Sequence, residues 1–173
     1  MQPFQLHLKS PSHYDKTSKM FAPILIPDDV DPLILADYEP VLQLNLEELP
    51  ENPLPFKDGW LQFFIRDEGF EADIFLFHID KNCKTKLFPY AHTGFDVTIK
   101  PAVDRDGLHL FGQPYQLNLE TNPDHIMLFQ YDPLADERFR FFHTLDGFLY
   151  VMIDPTALTE GSLHLAYTIL DYT

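Results

Sequence analysis

One cysteine, seven glycines, eight alanines and twelve lysines plus arginines are what this 173-residue sequence has least of. The lone Cys83 excludes an internal disulfide, so a hydrophobic core must hold the fold. At this length a chain buries about 70% of its unfolded surface, enough without a structural metal. Scarce alanine beside fifteen prolines excludes long helices, because proline removes a helical donor and clashes with the preceding turn. Few cations against 27 Asp plus Glu leave a net charge of −15. That field repels phosphate backbones and anionic headgroups, so neither nucleic acid nor a membrane surface is an expected partner. No apolar run approaches the roughly 20 residues of a membrane-spanning helix. Residues 1–10, MQPFQLHLKS, lack the basic start and apolar stretch of a secretory signal. A cytoplasmic protein is the expectation, and a reducing compartment fits the cysteine usage.

What is abundant is aromatic. Sixteen phenylalanines and eight tyrosines suit pleated, half-buried surfaces, and period-two runs recur. Phe4, Leu6 and Leu8 alternate with polar residues; Leu42, Leu44 and Leu46 alternate with Val41, Gln43 and Asn45; Phe75, Phe77 and Ile79 alternate with Ile74, Leu76 and His78. Strands are predicted there and over 60–65, 95–99, 108–111, 115–119, 125–131, 139–143, 148–153 and 163–170. Helix is confined to single turns. Asn45 caps one before Pro50, with Glu47 and Glu48 at its positive end, and Asp154 precedes another in which Pro155 takes the first position. Residues 26–37 mix acids and prolines with Val30, Leu33 and Leu35 and read as a connection pinned by those apolar residues.

Laying Gln43 on Gln130 brings out an internal repeat. VLQLN from Val41 and LFQYD from Leu128 each lead through a connection to an Asp-Gly turn and an aromatic strand, DGWLQFFI from Asp58 and DGFLYVMI from Asp146. The interval from Gln to Gly is 16 residues in one copy and 17 in the other. A further strand follows in each. Neither three-stranded half could cover its own apolar face, so the two must pack together. The expected fold is mainly β, α+β at most. It is a single compact domain over 1–173, made of two pseudo-repeated antiparallel sheet halves, roughly 40–80 and 126–171, with short helical connectors.

LQLNLEELP from Leu42, with GWLQFFI from Gly59, resembles the YwqG-like family of bacterial proteins of unknown function. His109-Leu110-Phe111-Gly112-Gln113-Pro114 is similar to that family's central His-x-x-Gly-x-Pro element. IMLFQYD from Ile126 is similar to its second Gln-Asp strand, and LDGFLYVMI from Leu145 with DPTAL from Asp154 to its closing segment. The resemblance spans residues 40–173; upstream, the family's Gly-Gly-Pro stretch is missing. It implies a largely β fold with a two-part core and supplies no catalytic residues. Some members lie beside polymorphic toxin genes, which implies an immunity-type role.

Four patterns are candidates for chemistry. Cys83 stands among Lys81, Lys84 and Lys86, cations that stabilise a thiolate, with His78 or His92 as a base. An exposed hairpin tip accounts for residues 80–86 more simply. His78 and Asp80 share a strand face as a metal pair would, and Asp104-Arg105-Asp106-Gly107 is similar to the start of a calcium loop. Two ligands make no site and the loop lacks its distal Glu, so no metal and no cofactor are expected. Gln43, Asn45, Gln130, Asp132 and His109 could line a small-ligand cleft between the halves; buried amides serving local backbone groups are the simpler reading. His109, Gly112 and Pro114 read first as a turn.

The fourth pattern is charge. Asp28, Asp29, Asp31, Asp37, Glu39, Glu47, Glu48 and Glu51 lie within 24 residues that contain no Lys, Arg or His. Such density speeds encounter with a basic protein. The sequence therefore predicts a non-enzymatic acidic protein-binding module neutralising a basic partner such as a toxin. The alternative is a small-molecule-binding protein or hydrolase working in the cleft.

Overall fold

The computed structural model of the protein describes residues 1–11, 15–67, 71–104, 106–115, 122–141 and 147–171. Its strands are β1 (Phe4–Pro11), β2 (Lys19–Met20), β3 (Leu25–Pro27), β4 (Glu39–Asn45), β5 (Trp60–Asp67), β6 (Ala72–Ile79), β7 (Thr85–Leu87), β8 (Phe95–Pro101), β9 (His109–Leu110), β10 (Ile126–Tyr131), β11 (Phe148–Ile153) and β12 (Tyr167–Asp171). Ten form one antiparallel sheet in the order β12-β11-β10-β9-β1-β8-β2-β4-β5-β6, and β3 pairs with β7 alone. The sheet curls until its edges meet, where the Thr168 hydroxyl on β12 donates to the Ala72 carbonyl on β6. Near-closure of this kind covers strand edges that would otherwise invite pairing with other chains. Farther along β6, the facing element is the 3₁₀ turn Leu163–Leu165, which leaves a cleft of about 460 Å3 there.

Alternation decides what goes inside. Phe4 and Leu6 of β1, Leu42 and Leu44 of β4, Leu61, Phe63 and Ile65 of β5, Phe129 of β10 and Leu149, Val151 and Ile153 of β11 share one core. Each large apolar side chain so buried contributes roughly 1.5–3 kcal/mol. The outer face of β5 is covered as well. Ile24, Ile26, Leu35 and Phe88 pack on Phe64, while Leu25 packs on Trp60 and Ile79. Coverage on both faces explains why WLQFFI is nearly continuous in apolar residues rather than alternating.

The sheet order reads the same from either end. β4, β5 and β6 occupy one flank and β10, β11 and β12 the other, with β2 and β9 inside them and β1 against β8 in the centre. Pairing repeats residue by residue. Lys19 lies between Gln43 and Asp96, as His109 lies between Gln130 and Gln5. The β4–β5 register slips at Val41 and the β10–β11 register slips at Leu128, each bulge two residues before the matching Gln. Phe21 donates to the Val41 carbonyl at 3.0 Å and Phe111 to the Leu128 carbonyl at 3.3 Å, each Phe at positive φ (49° and 62°). The first strands are exchanged: β1 pairs with β9, and β8 with β2. These matched pairings include β1, β2, β8 and β9, all outside residues 40–80 and 126–171. Two-residue strands such as β2 and β9 are too short to carry a period-two signal.

The helical expectations and the structure meet at the caps. Asn45 Oδ1 accepts from Glu47 N ahead of the 3₁₀ turn Leu46–Glu48. Asp154 accepts from Thr156 N at 2.8 Å and Ala157 N at 3.1 Å ahead of α1 (Pro155–Thr159). Residues 26–37 contain the end of β3 and a 3₁₀ turn, Pro32–Leu35, whose Leu35 is buried while Leu33 and Ile34 stay exposed. The expected strand over 139–143 is corrected. Glu137–Phe141 is 3₁₀, because Asp136 caps Arg138 N and Phe139 drops into the core against Phe21 and Tyr131; residues 142 and 143 lie outside the described residues. The expected strand over 163–170 starts as the 3₁₀ turn and becomes β12 only at Tyr167. The one over 115–119 falls mostly outside the described residues.

Two outcomes are expected. Gly59 sits at φ 83°, and a Cβ there would lie 2.0 Å from the Ile79 carbonyl oxygen. Gly59→Ala should therefore cost more than about 2 kcal/mol in urea denaturation, and an unchanged midpoint would contradict this turn. At α1, the bond from Ala157 N foremost holds the Asp154 carboxyl below the usual carboxylate range. A lowered folded value means the cap's contribution is present above about pH 4 and lost as pH falls through the folded value. Asp154→Asn keeps an acceptor for the turn, so its melting temperature should depend less steeply on pH over the acid limb than the parent's.

Candidate functional site

The alternation that sends Leu42 and Leu44 inward turns Gln43 outward, where residues 15–25 cross over it. Gln43 is fully buried there. Its Oε1 accepts from Leu25 N at 2.8 Å and from Gln62 Nε2 at 3.1 Å. Its Nε2 donates to the Asp15 and Thr17 carbonyls at 2.7 and 2.8 Å. Gln130 repeats the arrangement beneath residues 107–115, accepting from Tyr115 N at 3.1 Å and donating to the Gly107 carbonyl at 3.0 Å. A carboxamide offers a donor and an acceptor on one rigid plane, so each Gln clips a crossing segment whose backbone would otherwise be buried without partners. Both are engaged with backbone, and neither lines a cavity described below.

The other polar positions divide. Asn45 caps its turn and donates to the Lys16 carbonyl at 3.0 Å. His109, 3% exposed, donates from Nε2 to the Asp106 carbonyl at 2.7 Å. Its counterpart across the repeat is Lys19, also 3% exposed. Burial lowers the Lys19 ammonium from its ordinary value, against the opposing pull of Asp15 and Asp96. Asp132 matches Asn45, accepting from Leu134 N at 2.8 Å, and it lines a cavity.

That cavity measures about 520 Å3 and lies between β1, residues 104 and 106–108, and residues 132–139. Asp104, Asp106, Asp132, Asp136, Arg138 and His7 bring charge and hydrogen-bonding capacity to it. Arg138 is already committed. Its Nε lies 2.8 Å from Asp136 Oδ1, and the guanidinium stacks 4.6 Å from the centre of the Phe95 ring. The pair holds the Asp136 carboxyl below the usual range, chiefly through the hydrogen bond from Arg138. Lys19, Asp136 and Arg138 were not legible as site residues, because only the crossing segments bury the first and only the 3₁₀ turn folds the others over β1.

All eight residues of the acidic segment are exposed, yet they do not form one face. Glu39 pairs with Ile65 at one end of β4 and Asn45 with Trp60 at the other, so roughly 20 Å of strand separates Asp37 and Glu39 from Glu47, Glu48 and Glu51. Asp28, Asp29 and Asp31 follow β3. Tertiary structure also supplies cations that the segment lacks. Lys81 lies 3.8 Å from Glu47 and 2.8 Å from Asp58, and Lys86 Nζ donates to the Asp28 carbonyl at 2.8 Å.

The remaining patterns separate into local contacts. Cys83 is exposed, with Sγ 3.4 Å from the Lys84 carbonyl. His78 donates to the Asp58 carbonyl at 2.8 Å and stacks on Phe56, whereas Asp80 turns to Asn82 N. Asp104 and Asp106 are exposed, with Arg105 outside the described residues. Among the described residues no group of three or more His, Cys, Asp or Glu is arranged to hold a metal ion. No helix among them is long and apolar enough to cross a membrane. Comparison of the sequence with protein-family models finds no match, and comparison with curated proteins finds none either.

If the two glutamines are clips, Gln43→Ala and Gln130→Ala should each lower stability by about 1–3 kcal/mol, since each leaves buried backbone groups unpaired. Chemical denaturation measures this; variants that melt like the parent would contradict the role.

Proposed function

We propose that the protein is a non-enzymatic, acidic protein-binding module that takes a basic partner, in the manner of a cytoplasmic immunity protein neutralising a basic toxin. The observation that carries this reading is the exposure of Asp28, Asp29, Asp31, Asp37, Glu39, Glu47, Glu48 and Glu51 on a chain of net charge −15. Exposed carboxylates are free of desolvation cost until a partner arrives, and a field of one sign speeds encounter with the opposite sign. The separation along β4 narrows the docking surface to the turn that carries Glu47, Glu48 and Glu51, close to Asp58 and Asp80 at the neighbouring strand ends. Resemblance to the YwqG-like family, some of whose members neighbour toxin genes, supports the same role.

Co-purification from the native host with mass spectrometry should recover a basic protein. Its association rate should fall steeply between low and physiological salt, where the screening length is about 8 Å. Reversing Glu47, Glu48 and Glu51 to Lys should slow association at least about tenfold in protein that circular dichroism shows to be folded. Association insensitive to salt and to these reversals would refute the reading.

A second reading, a small-molecule-binding protein, has one observation in its favour: the cavity of about 520 Å3 beside Asp132, within the size range of ligand sites.

A further inference from the structure

We propose that the open edge of β6, from Ile74 to His78, takes up an extended peptide segment with basic ends as an added strand. This rests on the basic-partner reading and says which kind of segment of that partner is grasped, and how.

The first ground is the direction of the backbone. Register between β5 and β6 runs without a slip from Trp60 opposite Ile79 to Asp67 opposite Ala72, so residues bonded to β5 alternate strictly with residues turned to the edge. The Ala72 carbonyl is turned to the edge, because it accepts from the Thr168 hydroxyl on β12. Ile74, Leu76 and His78 therefore direct their N–H and C=O groups the same way. The far side of β5 agrees: Asn45 N donates to Ser18 Oγ at 2.9 Å, away from β5, which sets Leu61 toward β4 and its partner His78 toward the edge. Asp73 Oδ1 takes up Ile74 N at 2.9 Å. The N–H groups of Leu76 and His78 and the carbonyls of all three residues have no hydrogen-bond partner among the described residues. Donors and acceptors repeating at strand spacing are matched by another extended main chain.

The second ground is the space beside that row. Residues 163–165 turn as 3₁₀ and β12 begins only at Tyr167, so the closure that Thr168 makes with Ala72 is not continued along β6. The cleft of about 460 Å3 opens there, bordered by Ile74, Leu76, His78, Leu163 and His164. From Ile74 to His78 is roughly 14 Å, the reach of four extended residues. Phe75, 41% exposed, lies edge-on to Phe77 and offers alternate side chains of an added strand an aromatic surface.

The third ground is charge, which selects the kind of segment. The His78 ring bonds the Asp58 carbonyl, so the cleft ends beside Asp58 and, through Lys81, beside Glu47 of the acidic turn. Glu160 is exposed next to Gly161 in the opposite wall. The nearby cations are engaged: Lys81 with Asp58 and Glu47, and Lys57 with the carbonyls of Asn52 and Leu54. A second copy of the chain brings another charge of −15 and is repelled, whereas a basic segment is attracted.

The probe is the acetylated, amidated heptapeptide Lys-Val-Thr-Val-Thr-Val-Lys. Heteronuclear NMR titration of the whole protein at low salt should shift the Leu76 and His78 amides and slow their hydrogen exchange at least about tenfold at saturation, with exchange at Phe75 and Phe77, already bonded to β5, little changed. N-methylation of the peptide at its valines or at its threonines should abolish binding in one form and spare it in the other, since only one set of N–H groups faces β6. A counterpart with Glu at both ends should bind at least about tenfold more weakly. Silence at millimolar peptide, shifts that bypass Leu76 and His78, or equal effects of the two methylations overturn strand addition. Equal binding of the two peptides overturns the preference for a basic segment, and protection of Leu76 and His78 that rises with protein concentration alone assigns the edge to a second copy and overturns the proposal. Failure of the basic-partner reading shows separately, as association of the recovered partner that is insensitive to salt.

Discussion

The pairing of β1 with β8 at the centre of the sheet is the contact on which the rest of the molecule hangs. Each of these strands is the first of its half, and each also hydrogen-bonds to the second strand of the opposite half. His7 faces Thr98 at the middle of this pair, with Leu6 facing Ile99 on one side and Leu8 facing Val97 on the other. Removing either half would strip the other of an interior strand. Both halves therefore form one cooperative unit, and the core runs without a break from Leu61 and Phe63 on one flank to Phe129 and Val151 on the other.

Such an exchange creates a difficulty that the glutamines resolve. Once β1 and β8 have crossed, the chain must return over the outer face of the sheet to reach the next strand of its own half, and its backbone is buried on the way. Gln43 and Gln130 receive those returning segments with a donor and an acceptor each. The positive-φ Phe21 and Phe111 make the bends, each donating to the carbonyl of a bulged residue next to the Gln pair. Two independent devices at matching places indicate a constraint of the topology rather than a ligand site.

What the two halves do not share is then the more informative part. Asn45 and Asp132 make one turn with different charge, and Lys19 and His109 sit at one strand position with different chemistry. Asp132 follows β10 and lines the charged cavity together with β1 of the other half, whereas Asn45 closes β4 and precedes the turn with Glu47, Glu48 and Glu51. Acidity thus takes two forms, one recessed and one projecting.

Local pattern sufficed for a good deal. Period-two alternation marked most of the sheet, Asp-Gly marked the turn at Gly59, and Asn45 and Asp154 declared their caps, because each of these depends on residues within a few positions of one another. The alignment of Gln43 with Gln130 was legible for the same reason. Tertiary structure alone decided the rest. Residues 139–141, the described part of a segment that alternates like a strand, turn as 3₁₀, with Phe139 in the core. β2, β3 and β7 are too short to signal themselves and form only because a partner strand is already in place. The acidic segment is continuous along the chain but split by the length of β4, and it is reached by Lys81 after β6 and by Lys86 in β7, which pairs with β3 rather than forming a hairpin with β6. Charge and periodicity are properties of neighbours in sequence; burial of Lys19 and Asp132 is a property of what folds across them.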